Sequence, residues 1–90
     1  MGKVLVIVKV YPKEADVNLE EMAKEIAAAL PEGVRIAQTA EEPIAFGLKA
    51  LKMAIVMPEQ SEGGTTIIEE AISSVPSVSQ VDVEYVTRMM

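Results

Sequence analysis

The stretch KVLVIVKVY, residues 3–11, closed by Pro12, decides the fold. Five of its nine residues are valine or isoleucine, and β-branched side chains suit a pleated backbone better than a helix. A run this apolar suits a strand covered on at least one face and flanked on both sides, hence a central strand. Alternation puts Val4, Val6, Val8 and Val10 on one face and Leu5, Ile7 and Lys9 on the other. Whatever follows must supply partner strands at its edges and a cover for the valine face.

Outward from that strand, Asn18 to Leu30 supplies the first cover. Asn18 is a good N-cap and Glu21 stands three residues on, the capping-box spacing. Leu19, Met22, Ala23, Ile26, Ala27 and Leu30 recur at helical spacing and form one apolar stripe. Pro31-Glu32-Gly33 ends the helix. Val34 to Thr39 reads as a short strand with Val34 and Ile36 on one face, broken by Glu41-Glu42-Pro43. Leu48 to Met57 is a long strand with Leu51, Met53, Ile55 and Met57 alternating, closed by Pro58. Glu59 to Gly64 is a loop. Thr66 and Glu69 have capping-box spacing, and Ile68, Ala71, Ile72 and Val75 make a second amphipathic stripe. Val78 to Thr87 is the last strand, with Val81, Val83 and Tyr85 alternating with Asp82 and Glu84.

The order is βαββαβ. It predicts an α+β plait of the ferredoxin-like kind: a four-stranded antiparallel sheet with two helices on one face. Residues 1–90 have room for one domain, expected to bury roughly 60–65% of its unfolded surface. The fold by itself leaves function open.

Composition closes several routes. The chain has no Cys, His or Trp, so disulfides, thiol nucleophiles, imidazole bases and the usual zinc sites are excluded. Eight Lys and Arg stand against 14 Asp and Glu, a net charge of −6, which argues against a nucleic-acid backbone as direct partner. No unbroken apolar run is longer than Val4 to Val8, far short of a membrane span and of a secretory leader. The expectation is a soluble, cytoplasmic protein.

Few residues remain to carry chemistry. Glu41-Glu42 is a carboxylate pair read as lying in a loop. Metal binding there would need convergent partners, and a solvated acidic loop is the commoner case. Gly63-Gly64-Thr65-Thr66 precedes a helix, but without the phosphate-loop lysine it reads as a capped turn. Ala45-Phe46-Gly47-Leu48 leads into the third strand as in an RNA-recognition module, yet the stacking aromatics of that module are missing from the strands. Arg88 is the one basic residue after Lys52, in a half carrying six acids, and is placed just past the last strand. It is either a surface cation screened by Glu84 or the terminal carboxylate, or a mobile charged fork for a partner's anionic site.

Three of these stretches, in this order and spacing, resemble a known family. They are Pro43-Ile44-Ala45-Phe46-Gly47-Leu48-Lys49-Ala50-Leu51, Gly64-Thr65-Thr66-Ile67-Ile68-Glu69-Glu70, and Val81-Asp82-Val83 through Thr87-Arg88-Met89. Together they resemble the elongation factor 1-beta family, in particular its short archaeal form, which consists of the guanine-nucleotide exchange domain alone. The resemblance runs over essentially the whole chain. It implies an exchange factor for the aminoacyl-tRNA-carrying GTPase elongation factor 1-alpha, with a ferredoxin-like fold and no covalent chemistry of its own. It implies that Arg88, with Met89, is pushed toward the GTPase's Mg²⁺ and phosphate loop. Eukaryotic relatives have Lys at the Arg88 position, and some have an aromatic where this chain has Glu41. It also implies a contact loop of Pro43, Ile44, Ala45, Phe46 and Gly47. No cofactor is implied for this chain, since nucleotide and metal belong to the partner. A monomer is expected, because the eukaryotic regions that recruit further subunits have no counterpart here. The alternative of another class is a small-ligand-binding regulatory module of the same plait.

Overall fold

The computed structural model describes residues 2–58 and 64–89. Its elements run β1 (Lys3–Pro12), α1 (Leu19–Ala29), β2 (Arg35–Pro43), β3 (Lys49–Pro58), α2 (Thr65–Ser73) and β4 (Val78–Met89). The strands form one sheet in the order β2-β3-β1-β4, with all three pairings antiparallel. The expected α+β plait is the architecture observed, with β1 in the interior as its composition requires.

Register explains the core. Val6, Val8 and Val10 stand opposite Ile55, Met53 and Leu51, and all six are buried. Leu19, Met22 and Ile26 of α1 and Ile68 and Ile72 of α2 join the same cluster, which puts both helices on the valine face. Each such aliphatic side chain contributes about 1.5–3 kcal/mol when fully buried, so this single layer dominates stability. Asn18 caps α1 as expected: its Oδ1 accepts from the backbone N–H groups of Glu20 (2.9 Å) and Glu21 (3.1 Å).

Four expectations are corrected. Glu41-Glu42-Pro43 does not break β2, because β3 begins early enough to give each of the three a partner, in Leu51, Ala50 and Lys49. Helix α2 starts at Thr65 rather than with Thr66 as its cap. Gly64, at φ +53°, turns the chain into it, and no side chain among the described residues caps it. Strand β4 runs on through Met89, so Arg88 is within the sheet and stands opposite Val4. Tyr85 also leaves the face of Val81 and Val83. The register shifts between Val8↔Val83 and Ile7↔Tyr85, and Glu84 is the extra residue of a bulge. A second shift leaves Ala37 extra in β2. The expected loop from Glu59 lies, up to Gly63, outside the described residues.

Candidate functional site

The residues singled out in the sequence fall at the two ends of the sheet. At one end, β2 and β3 are joined by a tight hairpin. The backbone N–H of Leu48 donates to the Ala45 carbonyl (2.8 Å) and that of Ile44 to the Leu48 carbonyl (2.9 Å). Phe46 and Gly47 occupy the central positions with φ of +53° and +78°. Positive φ at both is the mark of the primed turn, whose twist matches that of the flanking strands. Glycine adopts it freely. For phenylalanine it costs on the order of 1–2 kcal/mol, because Cβ crowds the carbonyl that follows. The strained residue is also 99% exposed. A large apolar ring in full solvent on a backbone that favours glycine is stabilised by nothing among the described residues. Pro43, Ile44 and Ala45 are exposed beside it.

At the other end, antiparallel pairing brings Lys3 and Met89 together, and Val4 stands between Met57 and Arg88. Directly opposed residues share a face, so Arg88 lies on the helix side with Val4. It is exposed. Tyr85 and Val86, just before it, are 59% and 50% exposed, one on each face of the edge strand. The charge is therefore carried by a paired strand and not by a loose tail.

The structure does not gather the candidate residues into one site. Pro43 pairs with Lys49, while Arg88 shares its row with Met57. From Lys49 to Met57 an extended strand rises about 26 Å, and the step from β2 to β4 adds roughly 14 Å across the sheet. The molecule is 42 Å long, so these regions are near its two extremes.

Between them lie ion pairs on both faces of the sheet: that of Glu41, opposite the core residue Leu51, is on the helix side, and those of Glu42 and Lys52 are on the uncovered face. Lys9 Nζ donates to Glu42 Oε1 at 3.0 Å, Lys49 pairs with Glu41 at 3.6 Å, and Lys52 with Glu84 at 3.4 Å. The hydrogen bond to Lys9 holds the Glu42 carboxyl below the usual carboxylate range, and the same bond raises Lys9 above an ordinary lysine. The acidic pair thus belongs to β2 and is neutralised by lysines. Among the described residues, no three His, Cys, Asp or Glu side chains gather as a metal site requires. Sequence reasoning missed the Lys9–Glu42 contact. Its signal was Lys9, a lysine set between valines in the interior of an otherwise apolar central strand.

Residues 5–89 match the family model described as the EF-1 guanine nucleotide exchange domain. The chain belongs to that family. It is 58% identical to elongation factor 1-beta of Desulfurococcus amylolyticus over 99% of both chains. It is 57% identical to that of Thermofilum pendens, over 98% of this chain and 97% of the relative. Among solved structures, the C-terminal domain of the MgtC protein from Mycobacterium tuberculosis is similar in fold alone. The TM-score there is 0.54 at 13% identity, over 99% of this chain and 88% of that one. Members of the exchange-domain family are translation elongation factors that act by nucleotide exchange, without making or breaking covalent bonds. No described helix is long and apolar enough to cross a membrane.

Proposed function

We propose that this chain promotes exchange of GDP for GTP on the GTPase elongation factor 1-alpha, acting in the cytoplasm as a monomeric exchange domain spanning residues 1–90. The GTPase holds its nucleotide through phosphate-loop donors and Mg²⁺. A protein that binds the nucleotide-free form more tightly must weaken nucleotide binding by the same factor, because the coupling is reciprocal. That task needs a rigid platform and a few projecting groups, and a sheet with a buried aliphatic core is such a platform.

The two ends take separate parts in this proposal. Arg88, with Met89, approaches the metal and phosphate loop. A cation there repels Mg²⁺, with about 4 kcal/mol per pair of unit charges roughly 4 Å apart at an effective dielectric near 20. Pro43 to Gly47 dock on a second patch of the GTPase, with Phe46 as the anchor. The observation that carries this reading is the Phe46 ring, fully exposed on a left-handed backbone. Strain held at an exposed position points to use by a partner.

The test is release of labelled GDP from elongation factor 1-alpha with and without this protein. Stimulated release is expected, together with a stable complex with nucleotide-free GTPase that GDP plus Mg²⁺ dissociates. Unchanged release and no complex would refute the proposal.

A further inference from the structure

Strand β2 poses a mechanical problem. It is an edge strand whose ladder partner is β3. From Gln38 to Glu41 every side chain is exposed, and so is Pro43. The apolar residues that tie this part of the chain to the core, Val34 and Ile36, are at the far end. The half of β2 that leads into the hairpin therefore has its backbone ladder and little packing. The Glu41–Lys49 pair does not help, because both residues flank the hairpin and move with it.

One contact ties that half to the middle of the sheet. Glu42 immediately precedes Pro43 and stands opposite Ala50 on β3. Lys9 belongs to β1, one strand further in, and stands opposite Lys52. Its side chain must cross β3 to reach Glu42, and it does so beside Ala50, the smallest side chain on that path. Ala50 is fully buried although it lies on the face that no helix covers, as expected if neighbouring side chains roof it. Only 14% of the Lys9 side chain is exposed, and its ammonium also sits 5.6 Å from the centre of the Tyr11 ring. The cation is held from two directions, unlike a surface lysine swinging in solvent.

We infer that Lys9 and Glu42 are positioning residues for the β2–β3 hairpin, bracing the strand that presents Phe46 against the centre of the sheet. The inference rests on the proposal that this hairpin touches the GTPase. The brace fixes where the ring points. Without it the edge strand still pairs with β3, but its tip samples more directions and docking loses pre-organisation.

The test is labelled-GDP release from elongation factor 1-alpha, titrated with full-length Lys9→Met, Glu42→Gln, Lys9→Arg, Phe46→Ala and the double variant Lys9→Met/Phe46→Ala. Lys9→Met and Glu42→Gln are each expected to raise the half-saturating concentration about three- to tenfold with the maximal rate retained, and Lys9→Arg to stay close to the parent. The double variant should be no worse than Phe46→Ala alone, since a brace acts only through what it positions. Amide hydrogen exchange of residues 44–48 should quicken in Lys9→Met and Glu42→Gln while that of residues 6–8 and 53–55 stays slow. Three outcomes overturn the inference. If Phe46→Ala is impaired but Lys9→Met and Glu42→Gln titrate like the parent, the pair positions nothing and the hairpin contact stands. If the effects of Lys9→Met and Phe46→Ala multiply, Lys9 acts elsewhere. If Phe46→Ala itself titrates like the parent, the hairpin contact fails and takes the brace with it.

Discussion

The two ends of the sheet are built on opposite plans. At the Arg88 end the projecting group is charged and its backbone is an ordinary paired strand, opposite Val4. At the Phe46 end the projecting group is apolar and its backbone is a turn that disfavours it. Charge acts over several ångströms and tolerates small errors of placement, whereas an aromatic ring contributes only in contact with its pocket. In the proposed function, the Arg88 end therefore disturbs the metal site and the Phe46 end holds on. In kinetic terms the first should set the maximal rate and the second the concentration needed to reach it.

The largest expected effect comes from Arg88→Ala. Maximal stimulated GDP release should fall about 100-fold, within what one desolvated charge is worth, while the thermal midpoint stays within roughly 2 °C of the parent. Stopped-flow release and calorimetry read the two quantities, and a near-normal rate would remove the charged end from the scheme. Exchanging neighbours, Thr87→Arg with Arg88→Thr, keeps the charge but moves it to the open face opposite Leu5. It should recover less than about a tenth of the lost rate, because side chains of adjacent strand residues point apart. Full recovery would mean that charge at the tip suffices on either face.

At the other end, Phe46→Ala should raise the half-saturating concentration by about tenfold with little change in maximal rate. A loss of maximal rate instead would erase the division of labour. Phe46→Gly sharpens the contrast, since it weakens docking as much yet relieves the turn. The variant should be more stable by about 0.5–1 kcal/mol, a rise of roughly 3–6 °C in the unfolding midpoint for a domain of this size. A fall in the midpoint would show that the turn is not strained.

The smallest effect concerns the brace. Glu42 titrates lower in the folded protein than in the unfolded chain, so its contribution to stability is complete above the ordinary carboxylate range and is lost as pH falls through the depressed value. Lys9 is raised, so its share is complete below the ordinary lysine range and is lost only as pH climbs through the raised value. The stability difference between the parent and Glu42→Gln should therefore be flat around neutrality and shrink in acid. A difference that grew in acid would contradict the pairing.

Most of the fold was legible because it rests on periodicity. The β1 run, the stripe from Leu19 to Leu30 and the alternation from Leu51 to Met57 each repeat a spacing that only one element satisfies. Apart from the start of α2, which turns on Gly64 next to it, the misreadings share a physical cause, in that each depends on a neighbour distant in sequence. Glu41-Glu42-Pro43 looks like a breaker until β3 is laid beside it, with lysines to neutralise the acids. The face of Tyr85 depends on a bulge that alternation alone cannot reveal. Arg88 looks like a tail residue until β1 supplies Val4 as its partner. Of the candidate site, the sequence offered the identities of Phe46 and Arg88, but neither the left-handed turn nor the distance between them. The brace was invisible because Lys9 and Glu42 are 33 positions apart.

The surplus residue at Ala37 has a consequence for the molecule in bulk. Strand β2 ends the sheet with backbone groups facing outward, the template on which neighbouring chains stack into fibrils. A kink at Ala37 spoils the straight run a newcomer would need. An interrupted margin of this kind disfavours the stacking of copies through β2.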